Sequence, residues 1–120
     1  MAVPQRAKAQ SPEEVIVLIT TALILKKPIT ATYADRPRWL CPHVLGWNKD
    51  GQLHALCYQY GGSSSSGLAP GRSPSNWRCL ALLKLSAVQL LEGHWHSAEK
   101  HSRPQACIEQ VLIDTEKLPA

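Results

Sequence analysis

The chain has no phenylalanine and only one methionine, so its interior must be built from aliphatic side chains, four Trp and three Tyr. Trp and Tyr join a large apolar body to a polar tip, which suits half-buried positions and binding surfaces. Cysteine is sparse: Cys41, Cys57, Cys79 and Cys107 form no CxxC pair, and three of them lie inside apolar runs, the usual setting of buried free thiols. Runs of like charge are missing too. Lys26 with Lys27 and Arg36 with Arg38 are as dense as the basic residues become, which argues against a polybasic tail. The longest apolar stretch, 15–25, has 11 residues and includes Thr20 and Thr21, too short to span a bilayer, so no membrane partner is expected. The start, MAVPQRAKAQ, contains no apolar h-region. A cytoplasmic protein with reduced thiols is therefore expected.

Catalytic signatures are also lacking. There is no P-loop, GxSxG or HExxH. The acidic residues fall at helix starts, turns and the tail, and no nucleophile–base–orienter set is marked out. No catalytic residue is expected, and the chain reads as a non-enzyme. His43 lies two residues from Cys41, and His94, His96, His101 and Cys107 add further donors, but the spacing fits no zinc pattern. No metal and no cofactor are expected.

What is present is a globular composition, with 44% apolar and 18% charged residues. A length of 120 residues is enough for one core and not for two. The net charge of +4 is a mild bias towards anionic partners.

Residues 1–10 are polar and basic and read as a flexible tail ahead of a single domain over 11–120. Ser11-Pro12-Glu13-Glu14 then carries a helix start: a capping serine, a proline suited to the first turn, and a glutamate placed to close a capping box. The basic pair before Pro28 supplies the stop, so a helix is expected over 12–27. Ile16, Ile19, Thr20 and Leu23 share one face, yet Val17, Leu18 and Leu25 lie off it. Such a helix is apolar nearly all round and should be widely covered.

After Pro28 the pattern changes to strands, expected over 29–34, 38–48, 52–60, 76–83 and 86–91, with Asn48-Lys49-Asp50-Gly51 turning the central hairpin. One helix followed by five short strands predicts a mainly β, α+β domain whose sheet curls into a small five-stranded barrel. QACIEQVLI, near the end, reads as a last short element, strand or helix.

Between the third and fourth strands lies GGSSSSGLAPGRSPSN, residues 61–76. Neither flank could bury a core alone, so this is a loop within one domain and not a linker. Loops of this length tend to be functional or disordered.

The order RPRWLCPHVLGWNKDGQLHALCYQY, Gly/Ser loop, NWRCLALLKLSAVQLLEG resembles the WYL domain, and more closely a group of small bacterial single-domain proteins related to it. The cues are Pro42-His43-Val44-Leu45-Gly46, the strand ending Tyr58-Gln59-Tyr60, the loop from Gly61 to Gly67, and Arg78 to Ser86 in the pattern Arg-x-Leu-x-Leu-x-Lys-Leu-Ser. The resemblance implies an Sm-like, Src-homology-type barrel acting as a ligand-sensing regulatory module. The chain departs from the family where Leu53-His54-Ala55 replaces Trp-Tyr-Leu, and where Ala81 and Leu83 occupy positions that are basic or acidic in the family.

The ligand site expected on this reading gathers His43, Tyr58, Ser63, Ser64, Arg72, Trp77 and Arg78, where the loop meets the sheet. A guanidinium beside an indole can hold a phosphate or stack a base, and serine hydroxyls add donors. The partner would be a small anionic molecule or a nucleic-acid strand. In the competing reading Trp77 plugs the barrel end, Arg78 pairs with a carboxylate, and the domain is a structural module that forms a homo-oligomer through its edge and Trp-rich rim.

Overall fold

The capping box read from Ser11 is realised in full. In the computed structural model, which describes residues 10–63, 76–97 and 107–118, the Ser11 hydroxyl accepts from the Glu14 N–H at 3.1 Å and the Glu14 carboxylate accepts from the Ser11 N–H at 2.9 Å. Helix α1 runs from Pro12 to Leu25. It stops two residues short of the expected end because Lys26 turns left-handed, φ 53°. Val15, Ile19, Ala22 and Leu23 face the core. The expected tail falls outside the described residues except for Gln10. That side chain is not loose: its amide donates to the Val88 carbonyl at 2.9 Å and accepts from the Val88 N–H at 2.8 Å.

Among the described residues six antiparallel strands follow: β1 (Ile29–Tyr33), β2 (Arg36–Trp47), β3 (Leu53–Gly62), β4 (Trp77–Ala81), β5 (Leu85–Leu90) and β6 (Gln110–Asp114). The order is β4-β3-β2-β1-β5, with β6 also paired to β2. The expected mainly β, α+β class is what the chain adopts. The undecided last element is a strand and makes the count six instead of five. Among the described residues no ladder joins β4 to β5; a 3₁₀ turn, Leu82–Lys84, connects them, so the sheet is an open path.

Strand β2 organises the sheet. Its pairing with β3 is interrupted by irregularities between Trp39 and Leu40 and between Pro42 and Val44. Bulges of this kind bend a strand and increase its twist. One edge of β2 can thus serve β1 along residues 36–40 and β6 along residues 44–47. Gly46 makes the second contact possible, since a Cβ there would lie 2.6 Å from Ile108 Cγ2 and collide with the Gln110 carbonyl. The β2–β3 turn closes as its sequence suggests: Asn48 Oδ1 accepts from the N–H groups of Asp50 (2.9 Å) and Gln52 (2.8 Å), and Gly51 takes φ 77°.

Each face of the sheet has its own cover. On one side Leu40, Leu45, Ala55, Cys57, Leu80 and Val88 pack against α1. On the other, Cys41 and Tyr58 lie beneath Tyr60, Trp77 and Trp95, and Val44, Leu56 and Ile108 form an adjoining cluster.

Candidate functional site

Strand alternation divides the expected site. Trp77 and Arg78 are consecutive in β4, so their side chains leave opposite faces of the sheet. Trp77 stands opposite Tyr58 across the ladder, joining the two flanks of the Gly/Ser segment in one sheet as expected. Its indole meets Tyr58 edge-on at 5.1 Å and His43 at 4.8 Å. Trp95 closes on the His43 ring at 4.7 Å. His43 owes its place to the irregularity between Pro42 and Val44, and only 2% of it is exposed. Its Nε2 lies 3.1 Å from the His96 carbonyl. A carbonyl only accepts, so the ring proton sits on Nε2. His43, Tyr58 and Trp77 therefore come together as predicted, but as a packed aromatic cover.

Arg78 lies on the other face, opposite Cys57 in register, where sequence reading had not placed a second arginine. Arg38 is 5% exposed. Its neighbour Trp39 packs with Tyr60 on the aromatic face, so the Arg38 side chain takes the helix-facing side. Gln59, fully buried, is oriented by two bonds from its amide nitrogen, to the carbonyls of Gly61 (3.0 Å) and Ser63 (2.9 Å). That leaves its oxygen to accept from Arg38 Nη1 at 3.4 Å. The Arg38 guanidinium also lies 5.1 Å from the Tyr33 ring centroid. Its Nε is buried without a hydrogen-bond partner.

The electrostatics are one-sided. Arg38 has its pKa lowered by burial first and then by the like charge of Arg78, with a smaller contribution from Arg36 and an opposing one from Tyr33. Burial alone lowers that of Arg78. Among the described residues no carboxylate acts on Arg38. Holding the Arg38 guanidinium away from water beside a like charge is unfavourable unless an anion completes it. A guanidinium offers donors in a planar fork that fits a carboxylate or phosphate.

Ser63 stands at the mouth of this group. Its hydroxyl accepts from Arg36 Nη1 at 3.0 Å, and its N–H donates to the Pro37 carbonyl at 2.8 Å. A hollow of about 270 Å³ opens on the opposite face, lined by Thr30 and Thr32 of β1, Pro37 and Trp39 of β2, and Gln89 of β5, which share a face in register. Ser64 and Arg72, also expected in the site, lie outside the described residues. The structure thus assembles Arg38, Gln59, Tyr33 and Arg78 on one face, and His43, Tyr58 and Trp77 on the other.

The cysteines correct one expectation. Cys79 and Cys107, read as reduced thiols, form a disulfide. The register that seats Cys79 in β4 and the close approach of β6 bring their Cα atoms to 6.4 Å, a proximity that spacing along the chain does not reveal. Cys41 and Cys57 remain free and buried. Burial pushes the Cys41 thiol up to about 12, though a hydrogen bond from the His96 N–H opposes the shift.

No family model, no curated protein and no solved structure matches this chain.

Proposed function

We propose that the chain is a non-enzymatic, WYL-like ligand-binding module whose bent six-stranded sheet follows the course of an Sm-like barrel without closing among the described residues, and that it senses a small anion carrying a carboxylate or phosphate. The observation that supports this reading best is Arg38: buried, under the like charge of Arg78, and without an ion pair among the described residues. Gln59 ties that guanidinium to Ser63, so occupancy would be felt where the Gly/Ser segment leaves the sheet. A regulatory output follows naturally, with another macromolecule reading the end of the sheet at Ser63. Cys41 supports the non-enzymatic part, since a thiol raised to about 12 is a poor nucleophile near neutral pH. A cytoplasmic setting goes with the WYL likeness, although the Cys79–Cys107 bond is at odds with a permanently reducing compartment.

The test is a thermal-shift series with phosphate, nucleotides and short oligonucleotides on wild type and on Arg38→Met. A ligand that binds only the folded state stabilises it by about 2.7 kcal/mol at a hundredfold excess over Kd. Wild type should gain stability with at least one anion, and Arg38→Met should lose that gain while staying folded. Methionine keeps the apolar volume and removes a buried charge that has no ion pair among the described residues, so the unliganded variant should be no less stable. An equal shift in both proteins, or none in wild type, would reject the site.

A further inference from the structure

Sequence alone called for a helix covered on nearly every side, yet α1 is covered on one. Val17 is 62% exposed, Ile24 53% and Leu25 56%. With Thr20 and Thr21 they fall within one stripe opposite Val15, Ile19 and Ala22, as the 3.6-residue period requires. Thr21 spends its hydroxyl on the Val17 carbonyl at 2.8 Å, so that polar group is satisfied within the helix. No charged residue interrupts the helix between Glu14 and Lys26. A solvent-facing stripe of this kind marks an interaction surface more often than a free one.

The charges at its ends say what fits it. Glu13 and Glu14 lie in the first turn, and Lys26 and Lys27 follow the last. A helix laid on it in antiparallel sense needs basic residues beside the first turn and acidic ones beside the last. A second copy of α1 supplies both, whereas a parallel copy would set like charges together. Lys27 already pairs with Glu92 at 2.7 Å, which among the described residues leaves Lys26 as the cation at that end.

We propose that two copies of this chain associate through α1, packed antiparallel about a two-fold axis between Thr20 and Thr21. Val17 of each copy then faces Ile24 of the other, and the acidic first turn of each lies beside Lys26 of the other. Such an isologous contact uses one patch twice and closes at a dimer. Antiparallel packing of this sort brings helix axes to about 8–10 Å, within reach of these side chains. The surface is separate from the arginine group and does not depend on it.

Sedimentation equilibrium across a wide concentration range tests this. Wild type should approach twice the 13.2 kDa chain mass, and Val17→Glu with Ile24→Glu should return it to the monomer with an unchanged circular dichroism spectrum. Thr21→Cys, next to the axis, should cross-link to itself on mild oxidation, while Lys84→Cys, on the 3₁₀ turn, should not. A wild-type monomer at every concentration overturns the proposal. So does a dimer that survives the double glutamate variant, which would put the interface at the Trp-rich rim. Wild-type monomer that co-sediments with anionic phospholipid vesicles overturns it in favour of a lipid surface.

Discussion

A thiol sealed away from water holds its proton longer than one in an unfolded chain, and Cys41 and Cys57 are both fully buried. Burial raises the pKa of each, to about 12 for Cys41, and the two reinforce each other at Cys57. The folded form therefore binds more protons than the unfolded one above the ordinary thiol value of about 8.5. Stability from these groups is fully present below that pH and drains away as pH climbs towards 12, by about 1.4 kcal/mol per pH unit for each thiol. The melting temperature should stay level from neutrality to mildly alkaline pH and then fall. Cys41→Ala with Cys57→Ala should flatten the fall, and an equally steep decline in that variant would count against the assignment. The same scale shows what the sequence hid. Trp77 beside Arg78 looks like one binding pair along the chain, but the two-residue period of a strand sends the side chains apart. Arg38 reads as an ordinary surface charge, because its burial depends on Gln59, which is distant in sequence and fixed only once β3 lies beside β2.

At the scale of elements, signals complete within a few residues were legible. Ser11, Pro12 and Glu14 marked the start of α1, and Asn48 with Gly51 marked the central turn. Where an element depended on distant partners, the reading stopped short. Strand β6 was ambiguous because its apolar residues answer to β2 and not to a periodicity of their own: Val111 and Leu112 are both largely exposed. Its anchor is the Cys79–Cys107 bond, whose ends are 28 residues apart. Closing a loop of that length restricts the unfolded chain by roughly 3 to 4 kcal/mol on the entropic account. Cys79→Ser with Cys107→Ser should lower the stability measured by urea unfolding by an amount of that order. A loss below about 0.5 kcal/mol, the scale of an ordinary surface change, would mean that the bond does not constrain the fold.

For the molecule as a whole, the doubly covered β2–β3 pair carries the stability. Residues 40–45 and 55–58 are buried without a break, under α1 on one side and the aromatic cluster on the other. Amides in such a position exchange with solvent only when the whole domain opens, whereas edge strands open locally at lower cost. Among the described residues strand β6 pairs only with β2, and it is exposed along most of its length. Hydrogen exchange should therefore leave the central β2–β3 amides protected longest, at the free energy of global unfolding, with β6 released first. Reducing the disulfide should speed β6 while leaving the ranking of the central amides unchanged, because Gly46 and its neighbours on β2 are still held by β3. The alternative, in which all strands exchange at one rate before and after reduction, would make β6 part of the same cooperative unit. A sheet with a protected centre and a separable edge is compatible with the proposed anion sensor, since Arg38 and Gln59 lie in β2 and β3 and only Ser63 stands at the strand end.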